Sequence, residues 1–147
     1  MADLLLPLDE ALLILERALP PPRWLELRAD RDDPAADRSA MDGAALRVED
    51  GRSPRRVAGV LHAGEDPSPV VVPPGGAVRI MTGAVLPRGA DAVVPVEQLR
   101  AEGESLVPLV DPVPGMNIRR RASQAKTGEL LLAAGLPLSA PGVGLRA

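Results

Sequence analysis

Cysteine is absent from this sequence, so disulfides, zinc–thiolate sites and a thiol nucleophile are excluded. Phenylalanine and tyrosine are absent too, and Trp24 is the one tryptophan. A core must therefore be built from Leu, Val, Ile and Ala, with Met filling gaps. Base stacking, which needs aromatic platforms, has almost nothing to use. Charge of one sign is also missing: 17 basic and 20 acidic residues give a net charge of −3, unlike the basic footprint of a nucleic-acid binder. Among the basic residues only Lys126 is a lysine. No apolar run approaches the roughly 18 residues of a membrane span, and no signal peptide is legible. No membrane partner and a cytoplasmic location are therefore expected. His62 is the only histidine, with no second histidine or clustered acids in its segment. It reads as a half-buried strand residue, and no metal site is expected there. No nucleophile elbow, P-loop or dinucleotide fingerprint is present.

What the chain has in quantity is proline and glycine, 17 and 14 in 147 residues. They punctuate short Val, Leu and Ala runs, a pattern of strands and turns. One helix is legible at "PLDEALLILERAL", where Leu8, Ala11, Leu12, Leu15, Ala18 and Leu19 recur at helical spacing. Asp9 and Glu10 suit its first turn, and Pro20-Pro21-Pro22 ends it. Leu13 and Ile14 widen its apolar face, so it wants partners on more than one side, from its own chain or another subunit. Further on, "RWLELRA", "GAALRV" and "RRVAGVLHAG" read as strands, the last with a bulge at Gly59. "AVRIM", "ADAVVPVE", "ESLVPLV" and "GELLL" read likewise. The fold class expected is mainly β: short coiled sheets with one N-terminal helix, in two subdomains.

Three stretches could carry chemistry. In "SAMDG", Asp42-Gly43 favours a turn, and Asp42 is also a candidate acid. In "RIMTGAVLPRGADAVV", spacing suggests a hairpin-like loop, although Thr82 before Gly83 could present its hydroxyl and nearby N–H groups to an anion. "NIRRR" offers Arg119, Arg120 and Arg121, either as forks for phosphate or carboxylate or as a salt-bridged strand edge. On an extended chain Arg120 faces away from the other two.

"DRSAMDGAALR", "VRIMTGAVLPRGADAVVPVEQ" and "PGMNIRRR" occur in one order at set separations. Together they resemble the N-terminal half of the molybdopterin molybdenumtransferase family, which includes MoeA and the gephyrin E-domain. The opening helix and "GELLLAAGLPLSAPGVGLRA" are similar to segments of that family as well. The resemblance implies molybdenum-cofactor biosynthesis: insertion of molybdate into adenylylated molybdopterin, with release of AMP and use of a divalent cation such as Mg²⁺. It also implies an elongated homodimer. The first domain would comprise residues 1–37 and 113–147, and an inserted second domain residues 38–112. A third domain carries most of the substrate contacts in the family, and a fourth is a β-barrel. Neither is matched in these residues, so autonomous catalysis, and binding of Mg²⁺ or the pterin nucleotide by this chain alone, are not expected.

Carried over residue by residue, the resemblance assigns Asp42 and Thr82 to the active cleft as catalytic positions. Ser39, Glu97, Arg119, Arg120 and Arg121 fall on its ligand-binding motifs. The family usually reads "RRRGED" after the arginines, whereas Ala122-Ser123-Gln124 stand here. Gln124 thus replaces a functional aspartate with a neutral side chain. Ala44 replaces an aromatic, and the short charged linker from Pro20 to Asp37 replaces an apolar helix. Two main readings follow. The chain completes a cleft in trans with a full-length family member, or it is a non-catalytic dimerisation or binding module. A folded remnant of the family is a third.

Overall fold

A computed structural model describes residues 7–18 and 26–135. The chain divides into two compact units, Met1–Leu27 with Leu130–Ala147, and Arg28–Glu129. In the first unit the helical periodicity is realised as α1, Leu8–Ala18, with Asp9 and Glu10 in its first turn and Arg17 in its last. Those charges complement the helix dipole at both ends. Leu8, Leu12, Leu13, Ile14 and Leu15 are all at least half exposed. β1 (Leu27–Arg28) and β10 (Leu130–Leu132) form a two-stranded sheet. The rest of "RWLELRA" lies largely outside the described residues. Among the described residues, no helix is long and apolar enough to cross a membrane.

The second unit is built on six strands: β3 (Gly43–Leu46), β4 (Arg55–Leu61), β5 (Gly76–Ile80), β6 (Ala92–Pro95), β7 (Leu99–Glu102) and β8 (Ser105–Pro108). They form one mixed sheet in the order β6-β3-β5-β4-β8-β7. The fold is mainly β. Both faces of the centre are covered. Ala45, Leu61, Val78, Ile80 and Val93 pack on one side, and Ala44, Leu46, Ala77, Val94 and Leu106 on the other. Ala44, Ala45 and Leu46 are all fully buried, which explains why "GAAL" shows no polar alternation. With no Phe, Tyr or Trp in this unit, fully buried Leu46, Leu61 and Ile80 are its largest apolar anchors, each contributing about 1.5–3 kcal/mol. β4 has one covered face and alternates accordingly. Its register against β5 shifts between Val57 and Gly59, where the bulge is expected.

Strand order corrects one expectation. β5 and β6 do not form a hairpin: β3 lies between them, antiparallel to both. The residues that follow β5 pair elsewhere. Ser39 N–H donates to the Ala84 carbonyl, Leu86 N–H to Asp37, and Val72 N–H to Arg88, each at 2.9 Å. Residues 83–88 are therefore held by the segments at 37–39 and 71–72 instead of folding back on β5. A second difference is β7, an edge strand not anticipated from "LRAE", whose Arg100 and Glu102 pair with each other at 2.6 Å.

Two short strands, β2 (Arg38–Ser39) and β9 (Ile118–Arg119), pair antiparallel and bring the start of the unit to its end. Two charge clasps reinforce the junction. Arg120 Nη1 lies 2.7 Å from Asp37 Oδ2, and Arg121 Nε 2.6 Å from Asp32 Oδ2. Asp32 also accepts from the Thr127 N–H and hydroxyl, each at 2.9 Å. The Thr127 backbone donor, then Arg121, holds the Asp32 carboxyl at about 2.

Gly43 is fixed by space. An added Cβ would sit 2.1 Å from the Val94 carbonyl oxygen of β6. Gly43→Ala is expected to cost about 1–3 kcal/mol through overpacking at a backbone contact. Urea denaturation tests this, and an unchanged midpoint would show that β3 and β6 separate without penalty.

Candidate functional site

The site is assembled where β3 begins and β5 ends. Ser39, 3% exposed, donates its hydroxyl to the Met41 carbonyl at 2.5 Å and accepts from the Met41 N–H at 3.3 Å. Those bonds fold "SAM" into a tight turn that delivers Asp42 to the first position before β3. The Asp42 carbonyl accepts from the Val96 N–H at 3.0 Å, tying the turn to the 3-10 helix Val96–Gln98. On the other side, Ala84 N–H donates to the Met81 carbonyl at 3.0 Å, closing a turn through Thr82 and Gly83. Gly83 has φ 82°, the conformation a type II turn needs at its third position.

Register does the rest. Gly43 pairs with Ile80, so Asp42 and Thr82 project from adjoining strand ends. Asp42 Oδ1 accepts from both the Thr82 N–H and the Thr82 hydroxyl, each at 2.7 Å. The backbone N–H first, and the hydroxyl second, lower the Asp42 pKa below the usual carboxylate value. The result is an exposed, ionised carboxylate with one oxygen committed and no hydrogen bond to the other among the described residues. Such a group is a fixed hydrogen-bond acceptor and, at neutral pH, a poor general acid.

The structure brings some sequence-derived candidates together and not others. Asp42 and Thr82 are bonded directly. Glu97 is exposed in the 3-10 helix, one residue beyond the Val96 that holds Asp42. Ser39 shapes the turn, with its hydroxyl enclosed. Arg120 and Arg121 are engaged with Asp37 and Asp32, while the Arg119 guanidinium makes no hydrogen bond or ion pair among the described residues. Gln124 is exposed, and its N–H donates to the Asp33 carbonyl at 2.9 Å. His62 meets Glu65 at 3.2 Å in an exposed turn. Among the described residues there is no group of three or more His, Cys, Asp or Glu able to hold a metal.

One residue escapes sequence reasoning. Arg79 lies with Asp42 on the wall of a cavity of about 300 Å³, with Met81, Val96, Leu99 and Leu106 completing its apolar lining. Its signal was the single charge interrupting "AVRIM". Within β5 it is the exposed residue in an otherwise buried strand.

Fold and site thus define a mainly β module carrying a preset, exposed carboxylate. The chain belongs to the family described as MoeA N-terminal region (domain I and II), which matches residues 7–147. It is similar to the molybdopterin molybdenumtransferase of Synechococcus elongatus, with 41% identity over 122 residues, 78% of this chain and 30% of that protein. The Nostoc sp. molybdopterin molybdenumtransferase is 37% identical over 123 residues, 79% of this chain and 28% of that one. A solved molybdopterin biosynthesis MoeA protein from Pyrococcus horikoshii superposes with TM-score 0.77 and 32% identity, over 84% of this chain and 35% of that chain. The chain therefore spans less than a third of the length of these two curated relatives.

Removing the Thr82 hydroxyl tests the coupling. Thr82→Val leaves the backbone donor, so the Asp42 pKa is expected to rise part-way to its ordinary value, while Thr82→Ser keeps it low. The lowered value means the contact stabilises the fold above the ordinary carboxylate pKa of 3.8 and that stabilisation is lost as pH falls through the native value. In the valine variant that loss is smaller and is complete at a higher pH. A carboxyl-carbon NMR titration unchanged by valine would show that the hydroxyl does not act on Asp42.

Proposed function

We propose that this chain serves molybdenum-cofactor biosynthesis by supplying the Asp42–Thr82 wall of a molybdopterin molybdenumtransferase cleft. The observation that carries the reading is the doubly hydrogen-bonded, ionised Asp42 carboxylate at an exposed strand end. An anion held there would repel molybdate, so its task is to orient hydrogen-bond donors of the organic substrate. Preset geometry of this kind lowers a barrier by positioning. The opposite wall comes from a full-length family member in trans. A lone carboxylate does not make a divalent-cation site, so the residues here do not fit the Mg²⁺ implied by the family, and no step is assigned to it.

Complementation in trans is the test. A full-length molybdopterin molybdenumtransferase crippled at its equivalent aspartate is mixed with this chain, and molybdenum insertion is measured. Insertion is expected to recover with the wild-type chain and to fall about 100-fold with Asp42→Asn, the cost of a misplaced substrate. Equal recovery with both, or none with either, defeats the proposal.

α1 favours a second reading, a dimerisation or binding module of the same family. Its exposed leucines form an apolar face of the kind that another copy would cover. Sedimentation is expected to give a dimer for the chain and a monomer for Leu12→Glu/Leu15→Glu. The same mass for both would remove α1 from the interface.

A further inference from the structure

Arg79 is the feature that the proposed function leaves unused. It emerges next to the end of β5, flanked by fully buried Val78 and Ile80. Its register partners are Ala44 on β3 and Val60 on β4, neither of which offers an acid. The nearby cation Arg56 is paired with Glu104 at 3.5 Å. The Arg79 guanidinium has no hydrogen bond or ion pair among the described residues. A permanently charged guanidinium thus stands over apolar walls with no ion-pair partner among the described residues, Glu104 on its other side being taken by Arg56. Its planar fork matches a phosphate or carboxylate.

The rest of the cavity limits what such an anion carries. Met81, Val96, Leu99 and Leu106 provide apolar surface, and Asp42 provides an acceptor in the same cavity. A volume of about 300 Å³ is at the small end of ligand pockets. It admits one ring or a fused pair, and excludes a body the size of a dinucleotide.

We propose that this cavity binds an organic anion with a ring-sized apolar body, its phosphate or carboxylate on Arg79 and its ring against Met81, Leu99 and Leu106. Asp42 takes a donor on the far side of the ring. The proposal rests on the cleft reading only for that last contact.

Phenyl phosphate is a suitable probe, with inorganic phosphate and phenol as controls, titrated into the whole 147-residue chain with labelled methyl groups. Phenyl phosphate is expected to shift the Met81, Leu99 and Leu106 methyls saturably. Arg79→Gln is expected to weaken it about tenfold or more and to leave phenol binding unchanged. Arg79 is exposed, so the variant folds, and the unperturbed methyl spectrum confirms it. Unmoved methyls, equal affinity in Arg79→Gln, or inorganic phosphate binding as tightly as phenyl phosphate would each overturn the proposal. Failure of complementation in trans leaves it standing, and unmoved methyls leave the Asp42 reading intact.

Discussion

The site depends on how closely β3 lies against β6. At Gly43 the two backbones approach so nearly that no side chain fits between them. That closeness places β3 between β5 and β6, and the antiparallel register with β5 then sets Asp42 beside Thr82. The Val96 N–H bond to the Asp42 carbonyl fixes the same residue from the β6 side. One aspartate is therefore held through its main chain by one neighbour and through its side chain by the other. Neither bond asks the carboxylate to give up its exposed oxygen. Fixing the group costs no further ordering when a ligand arrives, and that is the physical basis of preorganisation.

The elements governed by local rules were legible in the sequence. α1 follows from leucine spacing, and β4 and its bulge from the run around Gly59; a turn in "SAMDG" was expected at Asp42-Gly43, whereas Ser39 and Met41 make the bend and Gly43 opens β3. Strand order was not legible, because it is decided by contacts between distant residues. Spacing alone made β5 and β6 a hairpin, yet β3 pairs antiparallel with both and lies between them. The arginine run shows the same limit. Its partners, Asp32 and Asp37, lie 83 to 89 residues away, so nothing local revealed that two of the three forks were occupied. For Asp42 and Thr82, motif resemblance supplied what physics left open, and the two hydrogen bonds now give a physical reason for their pairing.

A chain with a single aromatic side chain, Trp24, must hold its loops by other means. Arg55 is completely buried and reaches the Arg47 carbonyl at 3.3 Å, the Ser53 carbonyl at 3.3 Å and the Asp50 carboxylate at 3.4 Å, as well as the Gly51 carbonyl. One guanidinium thereby gathers residues 47–53 around itself. Burial lowers its pKa, but from a starting value so high that the charge persists. Its carbonyl partners would be left unsatisfied by an apolar replacement, which is why a polar centre is retained here.

The two clasps at the β2–β9 junction have a different consequence. Their bases are guanidinium groups that stay charged far into alkali. Both acids are held below the usual carboxylate range, Asp32 at about 2. Acidity changes across the whole biological range therefore leave both pairs ionised. Dissolved ions act on them instead, since the arginines are largely exposed and their attraction is screened within roughly 8–10 Å at ordinary ionic strength. The seam that closes this unit is thus insensitive to protons and responsive to salt.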